Sequence, residues 1–293
     1  MTVSSLPPQP RLHHVQCLRM QQLPRLGYWE WGDPTNPRVL LCLHGLTRQG
    51  RDFDTLARAM CDRYRVVCPD VMGRGQSDWL RDPTGYQIPA YLADIVTLLA
   101  RLNADSLHLV GTSMGGLIGM LLASLPHTPV ERLVLNDVGP RLPADAIERI
   151  GAYLGLPVHW DNEEEAADYL LSLSASFGPH TRAQWLALSR PMLKPKGPGF
   201  TLHYDPQIAL AFRGVKPEVA AANEALLWNA FDAVRCPTLL LRGATSDLLL
   251  PETAAAMTQR GPRAALHEFV GVGHAPTLVQ DDQVAVVKSF LLA

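Results

Sequence analysis

The chain has 293 residues, of which 47% are apolar, enough for a sizeable buried core in one large domain or two small ones. Its formal charge is −2, with acidic and basic residues interspersed. That balance gives no electrostatic footprint for nucleic acid or an anionic membrane surface, and it favours a small or neutral partner.

The start, MTVSSLPPQPRLHH, has neither the basic segment nor the apolar core of a secretory leader, and no apolar run further on is long enough to span a bilayer. A cytoplasmic protein is expected, with the Pro-rich first ten residues as a loose tail. Two short strands, LHHVQCLRM and LGYWEWG, follow on either side of Pro24 and read as a hairpin. RVLLCLHG is a continuous apolar run ended by glycine, the mark of a strand buried on both faces. DFDTLARAMC reads as a helix, YRVVCPDV as a second buried strand, and MGRGQSDW as a turn. IPAYLADIVTLLARLN is an amphipathic helix, SLHLVGTS a strand, MGGLIGMLLASL a nearly all-apolar helix, and RLVLNDVGP another strand.

Buried strands alternating with helices predict right-handed crossovers and a mostly parallel α/β sheet covered on both faces. The alternation stops at residue 140. From there to 234 the pattern is helical, through PADAIERIGAYLG, EEEAADYLLSLSASFG and TRAQWLALSRPML, with breaks at KPKGPGF and YDP. EEE reads as the solvated start of a helix, favoured there by the helix dipole. PTLLLRG and LHEFVGVG then resume the strand character, and DDQVAVVKSFLL closes the chain as a helix. Two strands cannot build a second sheet. The expected organisation is therefore one core domain, residues 1–139 and 235–293, with a helical cap, 140–234, inserted before the last two strands. Cys17, Cys42, Cys61, Cys68 and Cys236 lie mostly in or beside apolar runs without CxxC spacing and read as reduced thiols.

Ser113 stands in GTSMG, between a strand and a helix, where a nucleophile elbow holds a serine in a strained turn relieved by neighbouring glycines. A serine hydroxyl needs a base oriented by a carboxylate. His274, in VGVGHAP, and Asp247, in LRGATSDLLLPE, both follow strands and so fall at the carboxyl edge where open α/β sheets place their ligands. Chain order and strand-end position favour Asp247 as the acid; Asp137, in NDVGP, also follows a strand and is its competitor. The oxyanion donors are expected to be the backbone N–H groups of Met114, after the nucleophile, and Leu46, after His44-Gly45. His44 is expected to brace that loop, and His267 to be structural.

In this order and spacing, LLCLHGLT, CPDVMGRGQSD, VGTSMGG, LLLRGATSDLL and GVGHAP resemble the α/β-hydrolase superfamily, from about Arg38 to the C-terminus. The resemblance implies an eight-stranded, mostly parallel sheet, a triad of Ser113, Asp247 and His274, oxyanion amides at Leu46 and Met114, and neither cofactor nor metal. In this family the DxxGxGxS turn shapes a wall of the active site, so Asp70 and Arg74 are structural, and without a GK[ST] the glycines do not make a phosphate loop.

A serine nucleophile points to acyl transfer to water, hence a carboxylic-ester hydrolase acting on small or medium acyl esters, with polyester oligomers a possibility suggested by similar capped esterases. Thioester hydrolysis, carbon–carbon bond hydrolysis and cofactor-free perhydrolysis share the scaffold and stay open, as does a ligand-binding protein on a silent hydrolase fold. The carbon–carbon reading needs cationic cap residues, for which Arg182, Arg190 and Lys194 are candidates. Phe53, Trp160, Phe177, Trp185 and Trp228 are candidate pocket walls, with burial in the core the commoner fate of such residues.

Overall fold

A computed structural model describes residues 9–19, 22–212 and 217–293; most of the Pro-rich tail lies outside them. Eight strands form one sheet: β1 (Arg11–Gln16), β2 (Arg25–Trp31), β3 (Arg38–Leu43), β4 (Arg65–Pro69), β5 (Ser106–Thr112), β6 (Val130–Asn136), β9 (Thr238–Gly243) and β10 (Ala265–Phe269). Their spatial order is β1-β2-β4-β3-β5-β6-β9-β10. The expected hairpin is present, β1 and β2 pairing antiparallel, and β2 is also antiparallel to β4; every other pairing is parallel.

The central strands read as continuous apolar runs because both faces are covered, and alternate residues serve different faces. Val39, Leu41 and Leu43 of β3 and Leu107 and Leu109 of β5 enter one core cluster, with α2 (Ile88–Leu102) and α3 (Met114–Ser124). Leu40, Cys42 and Val110 point the other way, against α1 (Asp54–Met60) and the C-terminal α9 (Asp281–Leu292). In α2 the residues Tyr91, Ile95, Leu98 and Leu102 recur at helical spacing and are buried, and Asn103 ends the helix in the left-handed conformation, φ 50°. The five cysteines are free, three of them buried. No helix among the described residues is long and apolar enough to cross a membrane.

Between β6 and β9 lie α4 (Ala144–Tyr153), α5 (Glu163–Leu173), α6 (Arg182–Ser189), the strands β7 (Leu193–Lys196) and β8 (Gly199–Leu202), and α7 (Pro217–Ala233). The expected start of α5 is capped by Asn162, whose side chain accepts from Glu165 N–H, and a Thr181–Gln184 capping box opens α6. KPKGPGF does more than break a helix: Leu193 pairs with Leu202 and Lys196 with Gly199 in a hairpin whose turn holds Gly197 at φ 58°. Helices α5 and α6 share a small core of Ala167, Leu170, Trp185 and Leu188 with Met192 and Val279. In contrast, α7 packs on α3 and contributes Phe231 to the main cluster, and α4 sets Ala146 and Ile150 against Leu117 of α3. A further helix, α8 (Pro251–Gln259), follows β9.

Candidate active site

At the carboxyl end of β5 the chain reverses within one residue. Ser113 takes φ 51° and ψ −117°, a conformation costly to a side-chain-bearing residue, and its N–H is tied to Asn136 C=O at 3.0 Å. The turn brings α3 onto β3 so closely that a Cβ at Gly115 would stand 2.0 Å from Leu43 C=O. Half-buried, Ser113 lies at the N-terminus of α3, where first-turn amides have no intrahelical acceptor.

The loop after β10 brings His274 to this serine, its Nε2 3.0 Å from Ser113 Oγ. Its other ring nitrogen, Nδ1, lies 2.7 Å from Asp137 Oδ2. A carboxylate accepts, so Nδ1 carries the proton and Nε2 is left free to accept from the serine. Asp137 is fully buried, and also takes the Ser246 hydroxyl at 2.6 Å and Gly243 N–H at 2.8 Å.

Asp247, the expected acid, is not in this constellation. Its side chain is 52% exposed and pairs with Arg149 of α4 at 2.6 Å. The physical reason lies in the loop after β9: Ser246 turns inward, its oxygen accepting from Leu248 and Leu249 N–H while its proton goes to Asp137, and the next side chain faces solvent. Asp137 fits the order Ser, Asp, His as well as Asp247 does, so chain order does not separate them. A finer signal does. Ser113 and Asp137 each stand one residue beyond a strand, whereas Asp247 stands four beyond β9.

The loop after β3 carries Leu46, one of the two expected oxyanion residues; the other, Met114, is the first residue of α3. His44 is fully buried; Val71 N–H donates to its Nε2 at 2.8 Å and its Nδ1 lies 2.7 Å from Gly45 C=O. One nitrogen accepts and the other donates, the pattern of a neutral imidazole bracing the loop. Burial, assisted by nearby Arg74, His203 and Arg48, lowers its pKa to about 3. No backbone acceptor among the described residues takes the N–H of Leu46 or of Met114.

A cavity of about 40 Å³ is lined by Thr112, the residue before the serine, with His44, Gly45, Arg48, Phe177 and Leu188 among others. Arg48 forms a two-point ion pair with Asp52, at 2.6 and 2.8 Å. Gln49, which lines a second cavity of about 320 Å³, also reaches Asp52 at 3.1 Å. Of the five aromatic candidates, Phe53 and Phe177 line the smaller cavity, Trp185 is core, Trp160 bridges to Phe200, and Trp228 meets Phe231 edge-on. The three cationic candidates are engaged elsewhere: Arg182 with Asp168, Arg190 with Glu163, and Lys194 over the Trp79 ring. Among the described residues, no group of three or more His, Cys, Asp or Glu is placed to hold a metal ion.

The histidine loop is also stitched to the segment between α5 and α6. Gly273 N–H donates to Ser176 C=O at 2.5 Å, Ser176 Oγ to His274 C=O at 3.1 Å, and Gln280 Nε2 to Pro179 C=O at 2.6 Å.

Residues 40–287 match the model of the alpha/beta hydrolase family. The chain belongs to the alpha/beta hydrolase family. This hydrolase is 56% identical over 285 residues to a 3-hydroxybutyrate-oligomer hydrolase of Cupriavidus necator, a match covering 96% of this chain and 97% of the other. An esterase of Mycobacterium tuberculosis is 26% identical over 281 residues, 94% of this chain and 86% of that one. An alpha/beta hydrolase from Novosphingobium aromaticivorans superposes on this hydrolase with a TM-score of 0.84 at 35% identity, covering 97% of this chain and 98% of that one.

Proposed function

We propose that this hydrolase cleaves short oligomers of 3-hydroxybutyrate, or esters of closely similar hydroxyacids, through a triad of Ser113, His274 and Asp137. The observation that carries the mechanism is the continuous relay from Ser113 Oγ through both nitrogens of His274 to Asp137, at 3.0 and 2.7 Å. The substrate class rests on the 56% identity to the oligomer hydrolase across almost the whole of both chains.

Ser113 Oγ attacks the ester carbonyl as its proton passes to His274 Nε2, and buried Asp137 stabilises the imidazolium that forms. The tetrahedral oxyanion is received by the N–H groups of Leu46 and Met114, which point at charge that develops only in the transition state. The imidazolium then protonates the departing hydroxyl end, leaving an acyl-serine. Water, deprotonated by the same imidazole, attacks that ester, and collapse of the second intermediate frees the acid and restores the serine hydroxyl.

The test is hydrolysis of 3-hydroxybutyrate dimer and trimer by wild type and three variants, with a fluorophosphonate probe for the serine. Ser113→Ala is expected to lose about a million-fold in kcat and all labelling. Asp137→Asn is expected to lose roughly 10,000-fold while remaining folded. Asp247→Asn is expected to stay within about twofold of wild type. An active Asp137→Asn paired with an inactive Asp247→Asn would return the acid to the loop after β9.

A further inference from the structure

Arg74, in the MGRG turn after β4, is fully buried, yet it makes no ion pair among the described residues. Its donors go to neutral acceptors: Nε to Leu46 C=O at 2.8 Å, Nη1 to Met72 C=O and to Tyr91 Oη, both at 2.7 Å, and Nη2 to Met114 Sδ at 3.6 Å. The guanidinium also lies 5.0 Å from the centroid of the Tyr91 ring and 6.0 Å from that of Tyr86. The other well-buried arginines are built differently. Arg19, Arg48, Arg65 and Arg242 hold Asp94, Asp52, Glu30 and Glu268 respectively. The carboxylate that the Arg74 network does reach, Asp205, is one residue removed: Tyr86 Oη donates to it at 2.6 Å, and its own N–H is bonded to Gly73 C=O.

A buried cation without a counter-charge is costly, and an arginine cannot escape the cost by losing its proton. The two residues it grips through Nε and Nη2, Leu46 and Met114, are those whose amides flank the position of the oxyanion. We propose that Arg74 is a positioning and electrostatic residue of the oxyanion hole, a fixed positive charge whose counter-ion is the tetrahedral intermediate itself. The inference rests on the acyl-transfer reading above. In the resting enzyme the charge is solvated by carbonyl, phenol and thioether dipoles. When the substrate carbonyl oxygen gains negative charge, the cation behind the hole is compensated for the first time. The interaction therefore favours the transition state over the bound ester, which is the condition for raising kcat rather than lowering KM. The bond to Leu46 C=O also fixes the backbone of residue 46.

The experiment compares Arg74→Met, which fills the site without charge, with Arg74→Lys, which keeps charge and loses the planar fork. Readouts are kcat and KM on a p-nitrophenyl ester, affinity for an arylboronic acid that becomes a tetrahedral anion on the serine, and thermal melting. Arg74→Met is expected to lose roughly 10- to 100-fold in kcat and a similar factor in boronate affinity, with KM little changed, a smaller loss than removing an oxyanion donor. Arg74→Lys is expected to recover most of both. Equal losses in the two variants, or boronate affinity unchanged in Arg74→Met, would overturn the proposal. Asp205→Asn supplies an arm that leaves Arg74 in place: it keeps an acceptor for Tyr86 and deletes a negative charge from the Arg74 network. Boronate affinity should rise about threefold there, and an unchanged or lower value counts against an electrostatic role even if Arg74→Met does not fold. Fluorophosphonate labelling separates this failure from that of the triad, since a wild type that does not label at Ser113 indicts the nucleophile and leaves nothing for Arg74 to act on.

Discussion

Asp137 holds a full set of donors, from His274, Ser246 and Gly243, and the Ser246 oxygen in turn gathers two amides of the loop after β9. Ser246→Ala removes one donor from the carboxylate and an acceptor from two amides at once. Losing a hydrogen bond to a buried charged group costs about 1.5–3 kcal/mol. The expected outcome is a lower melting temperature and a kcat reduced roughly 10-fold at similar KM, measured on the same ester as wild type. Ser113 and His274 were legible as residues because each sits in a glycine-flanked turn directly after a strand pattern. Asp247 misled because its neighbourhood looks the same from the sequence: a strand, a glycine, an acid. What separates it from Asp137 is direction, set by Ser246 turning inward, and a string of letters carries direction only through the count of residues from the strand end.

The contact between α3 and β3 decides how sharply the chain can turn at the serine. Gly115 faces backbone there, Leu43 C=O, so a methyl group cannot be accommodated by rotating a side chain. Gly115→Ala is expected to separate helix from strand, destabilising the fold by about 3 kcal/mol or more and abolishing fluorophosphonate labelling, as chemical denaturation and gel fluorescence would register. The elements of the core were readable because strands buried on both faces and amphipathic helices have distinct periods. The hairpin of β7 and β8 was not: its strands are four residues each, and two prolines and two glycines mask any alternation. Helix α7 shows a second limit, since a helical pattern does not reveal that its partner is α3 rather than its neighbours in the insertion.

Across the whole molecule, buried titratable groups pull acid stability in opposite directions. Burial lowers the pKa of His44 and His203 to about 3. Between that value and the ordinary histidine range the unfolded chain binds more protons, so these groups stabilise the fold above about pH 6.5 and lose that contribution as pH falls. Burial raises Asp70 and Asp94 to about 6, so over the range below 6 and above 3.8 the folded state binds more protons and gains stability as pH falls. Going from pH 6.5 to 5, the histidines lose on the order of 2 kcal/mol each and the aspartates return on the order of 1 each, so the two pairs largely offset one another, with His108, lowered by burial, and Asp52, raised by it, adding one member to each side. Denaturant titrations at the two pH values are expected to find only a small change in wild type, and His203→Gln is expected to be about 2 kcal/mol less sensitive to acid. A steep loss in wild type would show that the opposing pairs do not balance.

The stitching of Ser176 and Pro179 to the loop that carries His274 has a consequence for how the two segments move. The same segment supplies Phe177 to the wall of the cavity of about 40 Å³, alongside Ala275, Pro276 and Thr277 of the loop that carries His274. Hydrogen bonds at Ser176 and Pro179 thus join a wall of the cavity to the backbone that carries the imidazole. A substitution that displaces residues 174–181 is therefore expected to disturb the position of His274 together with the cavity wall.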